Sequence, residues 1–275
     1  FAGRLNYSYK GKYLLTLTGR YDGASRLAPG NKWDFFPSAA VAWNMSQEKF
    51  MEKVTFIDNL KLRASYGVSG NYGISVYGTQ SGLITYPMGF GDVPAPAYIL
   101  GSSIGNPALG WEKSATTNFG LDVAILKNRI SLTLDLYKTV TSDILLRRTL
   151  PPSSGVADVW QNVGETQNKG IELSLTSQNV RNSNFTWTST ITFTKNKEEI
   201  TKLINDKNII STQNPEELSF LLGHPVGSFY TYEKLGIWQE SDKDLAARYR
   251  FGSTPFEPGD IRLADLNGDK PGIPD

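Results

Sequence analysis

Cysteine is absent from the 275 residues, which excludes disulfide frameworks, thiolate zinc sites, iron–sulfur clusters and cysteine nucleophiles. Histidine occurs once, at His224, so no paired-histidine metal motif can exist. Neither charge is in surplus: 28 Lys+Arg stand against 27 Asp+Glu, a formal net charge of +1. Binding to a phosphate backbone needs a clear basic excess, and no nucleic-acid partner is expected. Long apolar runs are also missing. With 39% hydrophobic residues and a mean hydropathy of −0.31, no stretch reads as a transmembrane helix. No signal-peptide pattern opens the chain. It begins at Phe1 and stops after Asp275 in what reads as a loop; a piece of a longer protein, incomplete at both ends, is expected.

Enzyme signatures are lacking too. No G-x-S-x-G, G-x-G-x-x-G or Walker A string occurs. Ser46-Gln47-Glu48-Lys49 fits S-x-x-K, but neither S-D-N nor K-T-G accompanies it. His224, between Gly223 and Pro225, reads as a turn residue, and Glu198-Glu199 and Glu216-Glu217 read as solvated loop charges. No catalysis and no organic cofactor are expected.

What is present is aromatic residues at 12%, 26 glycines and a dominant period of two. That leaves a soluble all-β protein or a membrane β-barrel, whose hydrophobicity is diluted by alternation. Between Phe185 and Thr194, one face carries Phe, Trp, Ser, Ile and Phe while the other carries threonine five times. A strand separates these residues cleanly and a helix scatters them. The pattern recurs in Leu60, Leu62, Ala64 and Tyr66 against Lys61, Arg63 and Ser65, and in Ile130, Leu132, Leu134 and Leu136 against Ser131, Thr133 and Asp135. Eight strands are predicted near 3–10, 12–22, 35–44, 59–69, 115–126, 129–141, 167–178 and 184–195. They are longer than the ~5–6 residues usual in soluble sheets and close to the ~9–11 that a tilted strand needs to cross a bilayer.

The connections alternate. Short ones are predicted at Lys10–Lys12, Met45–Asp58, Lys127–Asn128 and Asn179–Asn184, with a short helix at Gln47–Lys53. Long ones fall at Gly23–Trp33, Gly70–Ser114 and Ser142–Thr166. A transmembrane barrel does this, with short turns inside and long loops outside. The fold class expected is therefore an all-β, transmembrane antiparallel β-barrel. Residues 1–195 would supply strands and 196–275 a long extracellular loop region. The apolar face would meet outer-membrane lipids, and Asp122, Asp135 and Glu172 would face water or a plug. A soluble sandwich would instead bury Phe185, Trp187, Ile191 and Phe193. Gly67, Gly70 and Gly73 would suit a bend, and Trp33, Phe35, Phe36, Trp43, Tyr66, Trp111, Trp160 and Trp187 would form interfacial girdles.

Several strings add a resemblance. Gly19-Arg20-Tyr21-Asp22-Gly23-Ala24-Ser25-Arg26 with Asn31-Lys32-Trp33-Asp34-Phe35-Phe36-Pro37-Ser38, and Leu60–Asn71, are similar to strings of SusC/RagA-type TonB-dependent outer-membrane transporters. So are Gly105-Asn106-Pro107-Ala108-Leu109-Gly110-Trp111-Glu112-Lys113, Asn162–Glu165 with Asn168–Glu172, Gly223–Tyr230 and Pro258–Asp269. The resemblance, in the family's order across nearly the whole chain, implies the C-terminal part of a 22-stranded barrel plugged by an N-terminal domain. It implies energy-coupled uptake of an oligosaccharide, or alternatively an oligopeptide. It also implies a SusD-like surface lipoprotein as partner and the TonB-ExbB-ExbD system acting through a part outside this chain. A non-transporting structural barrel is the rival.

Two groups of site residues follow. Tyr72, Tyr77, Tyr86, Tyr98 and Trp160, in the long loops, are the candidates to stack on sugar rings or peptide side chains. Asp265, Asn267 and Asp269 place oxygens at positions 1, 3 and 5, as calcium loops begin. Where such a loop needs Gly, however, this chain has Lys270 and Pro271, so bound Ca²⁺ stands against a plain Asx-rich turn.

Overall fold

The computed structural model describes residues 1–91, 93–210 and 219–266. The chain divides into two compact units, one of residues 1–208 with 221–226, the other drawn from 209–220 and 227–275.

The first unit is built on long strands. In chain order these are β1 (Ala2–Tyr9), β2 (Tyr13–Gly23), β3 (Trp33–Asn44) and β4 (Ile57–Asn71), then the hairpin β5 (Leu83–Phe90) and β6 (Val93–Leu100), and the short β7 (Ser103–Ile104). Next come β8 (Glu112–Ile125), β9 (Ile130–Ser142), β10 (Leu145–Thr149), β11 (Asp158–Asn162), β12 (Glu165–Arg181) and β13 (Thr186–Lys202). Eight of them form one sheet in the order β1-β2-β3-β4-β8-β9-β12-β13, and each neighbouring pair is antiparallel. The eight correspond to the predicted strands, and β13 runs past residue 195 to Lys202. Because consecutive strands pair, the short connections all fall at one end of the sheet and the long ones at the other.

Register turns the period of two into two chemically distinct faces. Leu62 lies opposite Leu121, which lies opposite Leu134 and then Leu173 and Phe193. One residue along, the opposite face carries Arg63, Gly120, Asp135, Glu172 and Thr194 in register. The apolar face is uncovered. Phe185, Trp187, Ile191 and Phe193 are 57%, 54%, 59% and 52% exposed, and so are Leu5, Leu17, Val41, Leu62 and Phe119 at more than two-fifths each. A soluble sandwich would have packed these side chains into its core. Exposure of a contiguous apolar sheet face is the property of a wall that meets lipid.

The short-turn end is rigidly made. Lys10 and Gly11 take positive φ, as a tight hairpin requires. In place of the predicted short helix, two 3₁₀ turns, Met45–Gln47 and Lys49–Met51, present Glu48. Its carboxylate accepts from Lys12 Nζ at 2.8 Å, Tyr13 Oη at 2.8 Å and Trp43 Nε1 at 3.2 Å. The Lys12 ammonium, the Tyr13 hydroxyl and the Trp43 indole together pull the Glu48 carboxyl down to about 2. The same turn packs Trp43 against Tyr13 and Phe50. At the opposite end Trp33 stacks between Phe1 and Tyr21.

The second unit is smaller. β14 (Lys234–Ile237) and β17 (Ile261–Leu263) pair, as do β15 (Arg250–Phe251) and β16 (Thr254–Pro255). A single turn of helix, Lys243–Ala246, precedes β15. Trp238 is buried at its centre, against the Tyr249 ring and under the Arg262 guanidinium, 4.6 Å from the ring centroid.

Candidate functional site

The only sizeable buried apolar cluster of the first unit lies at the long-loop end, among the described residues. Ala24, Leu27, Ala28, Phe36, Ile74, Leu109 and Trp111 form it, with Val68, Leu145 and Trp160 packed around. Trp111 sits edge-on to both Phe36 and Tyr72, with centroids 5.2 Å and 5.1 Å away. Gly70 makes room for this packing, because a Cβ there would collide with the Phe36 and Trp111 rings. Glycine is thus required for close approach, and none of Gly67, Gly70 and Gly73 takes the positive φ that a bend-forming role predicts.

Polar ties join the loops that hold this cluster. Ala28 N–H donates to Leu109 C=O at 3.2 Å, and Asn31 Nδ2 donates to Ala108 C=O at 2.9 Å. Asn106 Nδ2 donates to Trp160 C=O at 2.8 Å. Asn162 accepts from Gly110 N–H at 2.7 Å and donates to the carbonyls of Gly110 and Asp143, both at 3.0 Å. Leu145 N–H donates to Glu112 Oε2 at 3.2 Å. Three of the sequence strings, around Arg26–Asn31, Asn106–Trp111 and Asn162, therefore meet as the framework of one structured mouth.

Above that framework lies a cleft of about 520 Å³ lined by Tyr77, Gln80, Ser81, Ser103, Arg147 and Trp160 among others. The Arg147 guanidinium stacks 5.1 Å from the Trp160 ring centroid and lies 3.7 Å from Asp158 Oδ2. Tyr77 is 72% exposed on a turn where its own φ is positive. Gly105 lies against the loop that carries Gln80 and Ser81: its N–H donates to Ser81 Oγ at 3.0 Å, and a Cβ there would meet Thr79 O and Gln80 C at 2.5 Å. The cleft offers aromatic faces, an amide, hydroxyls and one cation, groups that hold sugar rings or peptide side chains and carboxylates alike.

Of the five aromatics expected to bind ligand, two, Tyr77 and Trp160, come together in this cleft. Tyr72 packs on Trp111 instead. Tyr86 and Tyr98 sit on the β5–β6 hairpin, where Tyr98 pairs with Thr85 and Tyr86 with Ala97; adjacent positions place them on opposite faces. The girdle expectation needs a correction as well. Phe36 and Trp111 are buried in the mouth and Trp160 lines the cleft, so these three are not girdle residues. Trp33, Phe35, Tyr66 and Trp187 do stand exposed on the sheet. The calcium reading falls on Asp265, Asn267 and Asp269, the last two of which lie outside the described residues. Among the described residues no cluster of three His, Asp or Glu side chains is arranged to hold a metal.

The polar sheet face holds a second arrangement that single-strand reading missed. Arg63 binds two carboxylates at once: Nε and Nη2 reach Asp122 at 2.9 and 3.0 Å, and Nη1 and Nη2 reach Asp135 at 3.1 Å. Asn118 Nδ2 donates to Asp135 at 2.8 Å. The guanidinium lies where the side chain of residue 120 would be, and Gly120 leaves that space open. The signal was latent in the sequence as Arg63, Gly120 and Asp135, but only register places them side by side.

The model for the β-barrel of TonB dependent receptor-like proteins matches residues 1–273. TonB-dependent receptor P3 of Formosa agariphila is 38% identical over 272 residues, which cover 97% of this chain and 27% of that protein. TonB-dependent receptor SusC of Bacteroides thetaiotaomicron is 32% identical over 283 residues, covering 94% and 27%. A solved structure of the RagAB peptide transporter superposes with a TM-score of 0.77 at 29% identity, over 88% of this chain and 26% of that one. The chain thus spans about a quarter of the length of the curated relatives it matches.

Proposed function

Since the chain belongs to the β-barrel family of TonB dependent receptor-like proteins, we propose that its eight strands are part of the wall of an outer-membrane importer of oligosaccharides. The long connections face the cell surface and the short turns face inward, as in other outer-membrane barrels. The apolar sheet face meets lipid; the face with Arg63, Asp122 and Asp135 lines the interior. Import is coupled to TonB-ExbB-ExbD through a plug in another part of the protein, and a SusD-like lipoprotein works over the mouth. No covalent chemistry is involved. Ligand recognition is the task of this part.

The observation that supports recognition here is the cleft of Tyr77 and Trp160. Flat aromatic faces bury the C–H faces of pyranose rings, while Gln80, Ser81, Ser103 and Arg147 answer the hydroxyls. An oligopeptide reading has a specific observation behind it too. Arg147 presents a guanidinium able to hold a peptide carboxylate, and the chain resembles the RagAB peptide transporter. Uptake by cells carrying the full-length protein and its lipoprotein partner separates the two. Labelled oligosaccharides and labelled oligopeptides are offered in parallel. Sugar uptake that falls about tenfold in Trp160→Ala or Tyr77→Ala, a loss of ~1.4 kcal/mol in ligand binding, supports the first reading. Peptide uptake with the same sensitivity replaces it with the second. Uptake unaffected by either substitution removes the cleft from recognition.

A further inference from the structure

The apolar face of the sheet ends, toward the long loops, in a row of lysines. Lys169 on β12 lies directly opposite Lys138 on β9 and Lys197 on β13. Lys195 is one same-face step back along β13, opposite Ile171. All four are exposed. Like charges directly opposite one another on adjacent strands destabilise a sheet, so the row stands at a cost unless something anionic lies over it. Glu199 pairs with one member, 3.1 Å from Lys197 Nζ, and also feels the Lys169 charge, so one carboxylate faces four ammonium groups. Lys138, Lys169 and Lys195 have no ion pair among the described residues.

Their height in the sheet identifies what answers them. Immediately toward the short-turn end, the same face carries Leu134, Leu136, Ile171, Leu173 and Phe193. Lys138 is eight steps along β9 from Ile130, ~26 Å of strand at ~3.3 Å per residue; at a tilt of ~40° this rises ~20 Å, most of an apolar band of ~25 Å, and the lysine stem covers the remainder. The lysines therefore stand at the level of lipid headgroups, with their stems over the apolar rows. The same level on the neighbouring strands holds Thr117 and Tyr66, so the charge is confined to β9, β12 and β13. One row below Lys138 begins an apolar groove lined by Val41, Leu62, Phe119, Leu121, Leu134 and Leu136.

We infer that this row is a docking site for a phosphate-bearing lipid of the outer leaflet, its phosphate held between Lys138, Lys169 and Lys197 and its acyl chains against Leu136, Ile171 and the groove. The inference rests on the proposed orientation, with the long loops outside. In the outer leaflet of an outer membrane, the phosphorylated lipid is lipid A.

The test uses the full-length protein in nanodiscs of zwitterionic lipid, with bisphosphorylated lipid A and dephosphorylated lipid A as probes. Binding is followed by native mass spectrometry and thermal melting. The wild type is expected to prefer the phosphorylated lipid by about tenfold, a preference that shrinks as salt screens the lysines. Lys138→Gln/Lys169→Gln/Lys197→Gln is expected to lose that preference, and Lys138→Arg/Lys169→Arg/Lys197→Arg to keep it. Equal binding of both lipids by the wild type, or an undiminished preference in the glutamine variant, overturns the inference. If the glutamine variant does not fold, the wild-type salt series decides alone: a preference indifferent to salt refutes a phosphate–lysine contact. Absence of the full-length protein from the outer-membrane fraction instead sinks the importer reading.

Discussion

Replacement of Gly120 by alanine tests whether the Arg63 bridge stabilises the wall. An added Cβ would lie 2.5 Å from Arg63 Cζ and 2.6 Å from both terminal nitrogens. A guanidinium at the end of a flexible side chain moves aside readily, so the steric clash itself is cheap. What is lost is the fit to two carboxylates. A charge-assisted hydrogen bond contributes ~1.5–3 kcal/mol when removed singly. Arg63, Asp122 and Asp135 keep 29%, 25% and 22% side-chain exposure, so screening favours the low end. One guanidinium makes all the bonds, and they do not add. The expected loss for Gly120→Ala is ~2 kcal/mol. Arg63→Met should lose ~3 kcal/mol, because it also leaves Asp122 and Asp135 facing each other unneutralised. Once Arg63 is gone the alanine has nothing to displace, so the double variant should match Arg63→Met. That gives a coupling of ~2 kcal/mol. Urea unfolding of the full-length protein in detergent micelles, read by tryptophan fluorescence, measures all four corners of the cycle. Additive losses, or a Gly120→Ala variant within ~0.5 kcal/mol of wild type, would refute the account.

Three further outcomes are expected. Glu48 is held at about 2 when folded and returns to ~4.3 when unfolded, so its contribution is complete above pH ~4.5 and is lost as pH falls toward 2. Melting temperature against pH should show that decline in the wild type and lack it in Glu48→Gln. Asn162→Ala removes ties to Gly110 and Asp143 and should loosen the mouth by ~1–2 kcal/mol, seen as faster proteolysis within 105–111 and 143–164 with the eight-stranded sheet intact. Gly105→Ala drives a Cβ into the backbone at Thr79 and Gln80, so the loop must shift; it should lower ligand uptake at least as much as Trp160→Ala and cost ~1–3 kcal/mol in urea stability.

The sheet was legible because its two faces differ so sharply. Leu60 to Tyr66 and Phe185 to Thr194 each state their strand, their inward face and their outward face without help from the rest of the chain. The β5–β6 hairpin was not, because its prolines and glycines read as loop. Pro87 lies opposite Pro96, and a two-stranded ribbon tolerates this since half of its N–H groups point away from the partner. The cleft was half legible. Trp160 and Tyr77 announce themselves as loop aromatics. Tyr86 and Tyr98 announce themselves equally, and only register shows that they cannot share a surface. Arg147 and Gly105 carry no local signal, because their roles depend on segments elsewhere in the chain: Arg147 on Asp158 and Trp160 across a strand pair, Gly105 on Thr79 and Gln80. The lysine row is invisible for the same reason, since Lys138, Lys169 and Lys197 become neighbours only through strand pairing.

Besides the turns each loop closes on itself, hydrogen bonds of the mouth run from loop to loop: 28–31 to 108–109, 106–110 to 160–162, and 112 to 145. Such stitching has a consequence for anyone re-targeting a protein of this kind. A single loop transplanted from a relative would arrive without the partners that shape it and would leave orphaned carbonyls behind in its host. The unit that can be exchanged is the whole stitched set, strands and connections from Gly19 to Glu165. Diversity of ligand should therefore be engineered at the cleft's rim, at Tyr77, Gln80 and Arg147, where the seams do not reach.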